Sequence, residues 1–219
     1  MSTTVTPQYL LEGAVYSLQQ CGLLLRDAKR LYQSGSYANA VVLAQFAHEE
    51  LGKWIILLKL RAKVLAGKGL TVEQIQKHCE SHVRKQTAGM IGFLTRINKG
   101  SGLEKLHETR LNEKLGRNER KAANEQIEKL YRQKTKRTPD QRHKQRLSAL
   151  YVNPISPDRW NIPEKEMSPT VAEDVIHGAM NDYSMQSERY NRDPELHSAL
   201  VQWIDRPELP YLGISLWTN

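Results

Sequence analysis

Residues 47–54 read Ala-His-Glu-Glu-Leu-Gly-Lys-Trp and lie at the centre of a long helical pattern. At 100° per residue, the charged residues Glu49 and Lys53 project on the same arc of roughly 80° as the apolar residues of this pattern. The apolar members of the arc are Val42, Phe46, Ile56 and Leu60. Two opposite charges therefore lie on the stripe that is expected to face a protein core.

The cost of burying these charges restricts what they can do. Moving a carboxylate and an ammonium group from water into a protein core costs several kcal/mol of free energy unless the two are paired and further hydrogen-bonded. Glu49 and Lys53 stand four residues apart, which predicts an ion pair within the helix, and Glu50 projects at the edge of the same stripe. Two interpretations stay open: a site whose ionised groups meet the phosphates of a ligand, or a buried tie between helices.

Helical periodicity extends in both directions from this run. We expect core helices over about 7–99 and again over about 168–204. Thr71 and Gln74 fit a capping box, which opens a third helix that is expected to continue unbroken to Ile97. No run of alternating residues is long enough for a sheet, so the predicted fold class is all-α.

A basic segment and a loop separate these core helices. The stretch Glu104–Arg146 contains 14 Lys or Arg and 7 Asp or Glu, so most of the net charge of +8 lies here. We predict a helical segment over about 103–146 that Pro139 interrupts. Four prolines mark an extended loop over 152–169. The 219 residues are expected to form one domain, 1–219.

The basic segment favours RNA, DNA or an acidic protein as a partner, because localised positive charge attracts phosphate backbones through counterion release. The other interpretation is a solvated helix with many ion pairs, since acidic residues are interspersed. No apolar run is longer than Trp54–Leu58, which is too short to span a membrane. Two cysteines, Cys21 and Cys79, do not make a disulfide framework. We expect a soluble, cytoplasmic protein without a membrane partner.

A second polar strip lies on the predicted third helix. His78, His82 and Lys85 border its apolar face, and Gly89 permits close approach of another backbone. Two histidines four residues apart are one zinc pattern, but the glutamate of the metalloprotease signature and a third ligand are missing, so no metal is expected. Acid–base chemistry or phosphate contact suits an imidazole beside a lysine better. For His78, a solvated helix face is the preferred interpretation.

Several runs of sequence are similar to one known family. They are Tyr37-Ala-Asn-Ala-Val-Val-Leu-Ala, His48-Glu-Glu-Leu-Gly-Lys53, His82-x-x-Lys85 and Arg146-Leu-Ser-Ala-Leu-Tyr-Val152, followed by a loop with Trp160 and Pro163. Together they resemble the AbiV-type abortive infection proteins, a branch of the HEPN superfamily of small helical bundles, over about 9–190. The resemblance implies an up-down bundle of about five to six helices.

The resemblance also implies a function. Many HEPN proteins are dimeric, metal-independent endoribonucleases that act as toxins or phage-defence effectors. This chain is therefore expected to be an RNA-cleaving or RNA-binding toxin that suppresses translation in infected cells, with no cofactor. The implied partners are RNA, a second copy of the chain, and a phage-encoded activator or an antitoxin. The alternative is a non-catalytic helical dimer that binds RNA or a phage protein through the basic segment.

Ribonuclease-active HEPN domains typically contain an arginine followed, after four to six residues, by a histidine. Arg137 with His143 and Arg192 with His197 have this spacing, but chance alone produces about as many such pairs in a chain of this composition. The second pair is the more typical, because an acidic residue follows its arginine. The candidate catalytic residues are Glu49, Glu50, Lys53, His82, Lys85, Arg192 and His197, and the candidate phosphate-binding residues are Arg137, Lys144 and Arg146.

Overall fold

The structure is a computed structural model. It describes residues 4–97, 115–134 and 139–191, together with isolated positions between 102 and 112 and at 194 and 198. This described part contains eight helices and one β-hairpin. The helices are α1 (Pro7–Gln33), α2 (Tyr37–Leu65), α3 (Val72–Cys79), α4 (His82–Ile97), α5 (Arg117–Lys134), α6 (Pro139–Leu150), α7 (Pro163–Glu166) and α8 (Pro169–Asn191), and the strands are β1 (Asn153–Ser156) and β2 (Arg159–Asn161). The predicted all-α fold class is confirmed.

Local sequence signals define the hairpin of α1 and α2. The hydroxyl oxygen of Thr6 accepts a hydrogen bond from the backbone N–H of Tyr9 at 3.1 Å, and Pro7 occupies the first turn. Gly35, between the helices, has a φ of 81°, a left-handed conformation that glycine adopts without strain. The two helices share an apolar core whose fully buried members include Leu10, Leu11, Leu18, Leu25, Leu51 and Trp54.

The prediction of one unbroken third helix is wrong. Its capping box at Thr71 and Gln74 is present, but α3 ends at Cys79. Ser81 then starts α4, because its hydroxyl oxygen accepts a hydrogen bond from the backbone N–H of Arg84 at 3.2 Å. Serine side chains compete with continuous helix by capping backbone N–H groups in this way. The single predicted helix is therefore two helices, separated by Glu80 and Ser81.

The expectation that the chain has no sheet is wrong within 152–169, where β1 and β2 form a short antiparallel hairpin. These strands have only four and three residues, so a pattern of alternating polar and apolar residues cannot be recognised in them. The buried side chain of Asn161 donates hydrogen bonds to the backbone oxygens of Ser148 at 2.8 Å and Tyr151 at 2.7 Å. These bonds attach the hairpin to the C-terminal end of α6.

Helix α2 lies at the centre of the bundle and packs against α1, α4, α6 and α8. Its approach to α4 depends on two glycines. A Cβ atom added at Gly52 would stand 1.7 Å from the carbonyl oxygen of Lys85, and one added at Gly89 would stand 2.9 Å from the ring of His48. The predicted close approach of another backbone at Gly89 is confirmed, because the same Cβ atom would stand 3.2 Å from the backbone oxygen of His48. None of the described helices has the length and apolar character needed to cross a membrane.

Candidate active site

The buried carboxylate of Glu49 gathers polar side chains from two other helices. Glu49 is 2% exposed. From α4, Nδ1 of His82 and Nζ of Lys85 lie 2.6 and 3.5 Å from its Oε2. On its Oε1, Gln86 donates a hydrogen bond at 3.2 Å, and Nη1 of Arg146 approaches from α6 to 3.5 Å. These partners offset the cost of removing the carboxylate from water.

A second histidine lies against His82. The rings of His82 and His143 stack with centroids 5.8 Å apart and an interplanar angle of 18°. Nη2 of Arg146 lies 3.3 Å from Nδ1 of His143. The side chain of His82 is 43% exposed, and His143 is partly exposed, so solvent reaches both imidazoles. We call Glu49, His82, Lys85, His143 and Arg146 the Glu49 cluster.

The partners of the two rings determine which nitrogen holds the proton. A carboxylate offers only acceptors, so Nδ1 of His82 donates to Glu49, and Nε2 of the neutral ring has a lone pair. A guanidinium offers only donors, so Nδ1 of His143 accepts from Arg146, and the proton of the neutral ring lies on Nε2. The neutral rings therefore hold their protons on opposite nitrogens, Nδ1 in His82 and Nε2 in His143.

Positive charge exceeds negative charge in the Glu49 cluster. One carboxylate faces the guanidinium of Arg146 and the ammonium of Lys85. Arg146 is only 5% exposed, and its guanidinium carbon lies 5.0 Å from the ring centroid of Phe46. Fixed cations in a partly desolvated site stabilise an oxyanion more strongly than they would in water. The cluster is therefore suited to a phosphate group.

The charged run of α2 is divided between two surfaces. Glu49 faces α4 and α6, whereas Glu50 and Lys53 line a groove beside α1. Nζ of Lys53 lies 3.6 Å from Oε2 of Glu50, so the predicted pairing of Lys53 with Glu49 is wrong. Helix α2 is buried on most of its circumference, so side chains that share one arc, such as those of Glu49 and Lys53, contact different neighbouring helices. The long lysine stem also allows its charge to leave the arc on which its Cα lies.

The other residues predicted for the site, which include the candidate phosphate-binding residues, are not all found in the Glu49 cluster. Lys144 is exposed on α6. Arg146, predicted to hold phosphate, is instead largely covered where it bridges Glu49 and His143. Arg137, Arg192 and His197 lie outside the described residues.

The two histidines of the candidate zinc pattern lie on different helices. Nδ1 of His78 is 3.3 Å from Nη1 of Arg84, whereas His82 contacts Glu49. The predicted strip containing both is therefore wrong, because the break before α4 separates them. Within the part of the chain that the structure describes, no three His, Cys, Asp or Glu side chains are placed to hold a metal ion.

The sequence indicates His143 only as the partner of Arg137 in a proline-broken stretch. In the structure, Pro139 begins α6 instead, and His143 and Arg146 lie about one turn apart on that helix. Proline is common at the first position of a helix, and residues three apart share a helix face. These two rules together are the signal that identifies His143 as a neighbour of Arg146.

A buried histidine connects the helices beneath the cluster. Nε2 of His48 on α2 lies 2.7 Å from Oδ2 of Asp182 on α8, and that oxygen is 3.9 Å from Nη1 of Arg142 on α6. Burial lowers the pKa of His48 and Arg142 lowers it further, although Asp182 opposes both effects. The neutral ring donates from Nε2 to Asp182. This bond ties α8 to α2, and the same carboxylate faces Arg142 on α6, the helix that contains His143.

We expect His48 to make the protein less stable in acid. Because its folded pKa lies below the unfolded value of about 6.5, the unfolded state binds the proton first. The contribution of the neutral ring is therefore complete above about pH 6.5 and is lost as the pH falls toward the folded pKa.

Urea denaturation at about pH 7.5 and about pH 5.5 measures this effect in wild type and His48→Gln. The glutamine amide can still donate to Asp182 but does not titrate. The unfolding free energy of wild type should fall more than that of the variant, by up to about 1.4 kcal/mol per pH unit. Equal decreases in both proteins would contradict the role of His48.

Comparison with known proteins agrees with this architecture. The chain is an all-α bundle of the HEPN type, the class to which the matching family model belongs. That model, described as AbiV, matches residues 10–181. The chain belongs to the AbiV family of abortive-infection proteins. No curated protein and no solved structure matches it.

Proposed function

We propose that this protein is an antiphage abortive-infection effector whose Glu49 cluster cleaves RNA without a metal ion. The observation that supports the proposal is the stacked pair of His82 and His143, each oriented by a charged partner. Cleavage of RNA in the cytoplasm would stop translation and growth in an infected cell and so limit phage spread. A second copy of the chain and a phage-encoded activator or antitoxin are proposed as protein partners.

The proposed reaction is a transesterification at the ribose 2′-oxygen. Nε2 of His82 removes the proton of the 2′-hydroxyl while the oxygen forms a bond to the adjacent phosphorus. The bond from phosphorus to the 5′-oxygen breaks, and that oxygen takes a proton from solvent. The imidazolium of His82, stabilised by Glu49, returns its proton to solvent. The products have a 2′,3′-cyclic phosphate and a 5′-hydroxyl.

Lys85 and His143 are proposed to stabilise the charge that develops on the phosphate. The Nε2–H of His143 donates to a nonbridging oxygen, and the ammonium of Lys85 adds a positive charge beside it. Arg146 is a positioning residue, since it is largely buried and holds both Glu49 and Nδ1 of His143. The two stacked imidazoles, each oriented by a charged partner, support cleavage over simple retention of RNA.

The basic segment is proposed to supply most of the affinity for RNA. In α5, Ala123 and Ile127 are buried, which leaves the charged residues toward solvent. The exposed cations include Arg117, Lys121, Lys129 and Lys144. Affinity for RNA should fall steeply as salt rises, because binding releases counterions. Salt-sensitive binding without any RNA fragments would favour the non-catalytic alternative.

Loss of the His143 imidazole is expected to remove toxicity. Wild-type expression should arrest growth and create new RNA ends. His143→Ala should do neither, since removing an acid–base or donor group of this kind lowers rates about 10²–10⁴-fold. Growth curves and sequencing of RNA ends measure both effects. His177→Ala, a change at an exposed histidine of α8, is the matched control. Equal toxicity of His143→Ala and wild type at equal soluble levels would contradict the proposal.

A further inference from the structure

A wide groove lies on the α1 side of α2. It is open to solvent and has a volume of about 610 Å³, within the range of about 300–1,000 Å³ that is usual for ligand sites. Residues of α1, α2 and α3 line it. Its polar and aromatic lining residues include Tyr9, Glu12, Tyr16, Gln20, Glu50 and Lys53. None of these residues belongs to the Glu49 cluster.

The groove has a negative charge balance in a chain whose net charge is +8. Its lining contains two carboxylates, Glu12 and Glu50, and one ammonium group, Lys53. Lys53 lies 3.6 Å from Glu50, so this pair is balanced and the charge of Glu12 is in excess. A phosphate backbone is repelled by this balance, whereas a cation is attracted. The groove and the Glu49 cluster therefore select ligands of opposite charge.

Two tyrosines border the carboxylates. Tyr9 and Tyr16 are two helical turns apart on α1, which places them on one side of the helix, and they are 49% and 46% exposed. The hydroxyl of Tyr16 donates a hydrogen bond to Glu12 at 3.1 Å, so a ring and a carboxylate lie side by side. A guanidinium stacks on an aromatic face and also forms paired hydrogen bonds with a carboxylate. Arginine is thus the side chain that uses both features.

We propose that this groove binds an arginine-containing peptide segment of another protein. Glu50 and Lys53, two residues predicted as catalytic from the sequence, belong to this peptide site instead. The volume accommodates more than one side chain, so the bound segment includes residues that flank the arginine. The proposal does not depend on RNA cleavage, because the two sites share no residue.

The test uses the full chain and two fluorescent peptides with blocked ends. One peptide contains two arginines, and in the other citrulline replaces each arginine, which keeps the shape and removes the charge. Fluorescence anisotropy should show at least about tenfold tighter binding of the arginine peptide. Glu12→Gln and Tyr16→Ala should each weaken it about tenfold. Glu164→Gln, which changes an exposed carboxylate of α7, should leave the affinity unchanged.

Three results would overturn the proposal. Equal affinity for the two peptides would show that the guanidinium is not recognised. Wild-type affinity in both Glu12→Gln and Tyr16→Ala, with circular dichroism confirming their fold, would place the peptide elsewhere. Finally, a single-stranded RNA could displace the arginine peptide from wild type but fail to do so in Glu12→Gln and Tyr16→Ala. That result would assign the groove to nucleic acid.

Discussion

Gly52→Ala is expected to separate α4 from α2 and to lower the thermal unfolding midpoint by about 10 °C. The new methyl group would stand 1.7 Å from the carbonyl oxygen and 2.5 Å from the carbonyl carbon of Lys85. Backbone atoms cannot rotate away as a side chain can, so the whole of α4 has to shift. Overpacking costs about 1–3 kcal/mol and occasionally more, and we expect the upper end here because the contact is with backbone atoms. Calorimetry measures the midpoint directly.

Gly178→Ala is the matched control for this change. Gly178 is also a glycine inside a long helix, but a Cβ atom there would meet nothing within 4 Å. Alanine stabilises a helix interior by about 0.5–1 kcal/mol relative to glycine, so Gly178→Ala should raise the thermal unfolding midpoint slightly. Similar midpoints for the two variants would show that the close contact at Gly52 does not exist.

Glu49→Ala is expected to lower the unfolding free energy by about 3–5 kcal/mol. Arg146 and Lys85 would lose the carboxylate that offsets their burial, and His82 would lose the acceptor of its Nδ1 proton. A buried charge left without a partner costs far more than the pair itself contributes. Urea denaturation with an unchanged slope measures the loss.

The neighbouring glutamate is the control for Glu49→Ala. Glu50 and its partner Lys53 have side chains that are 21% and 37% exposed, so solvent screens their ion pair. Glu50→Ala should therefore cost only about 0–1 kcal/mol. Glu49→Gln should lie between the two, because its amide oxygen still accepts hydrogen bonds but has no charge. If Glu49→Ala costs no more than Glu50→Ala, the carboxylate does not organise the cluster.

The first helices could be predicted from the sequence because their signals are local. Thr6 and Pro7 start α1, and Gly35 takes the left-handed turn, without help from distant residues. The break at Ser81 was harder to predict, since the apolar pattern continues across it and a single cap decides where the helix stops. Local energies of about 1 kcal/mol are enough to settle such a choice.

The composition of the candidate site could be predicted only in part. A buried charge at Glu49 follows from the helical period, and His82 and Lys85 follow from the second polar strip. Arg146 was predicted to hold phosphate, but its contact with Glu49 and the place of His143 beside His82 could not be predicted. Both residues are close to 100 positions from Glu49 in sequence and are brought to α2 by tertiary packing. The separation of Glu50 from Glu49 depends on that same packing.

Cleavage of an RNA oligonucleotide by the purified protein in EDTA tests most directly whether the Glu49 cluster is a ribonuclease site. We expect wild type to release fragments with 2′,3′-cyclic phosphate and 5′-hydroxyl ends and to leave the all-2′-deoxy oligonucleotide intact. His82→Ala should slow cleavage about 10²–10⁴-fold, and His177→Ala should not. Absence of fragments from wild type, or equal rates for His82→Ala and wild type, would contradict this function.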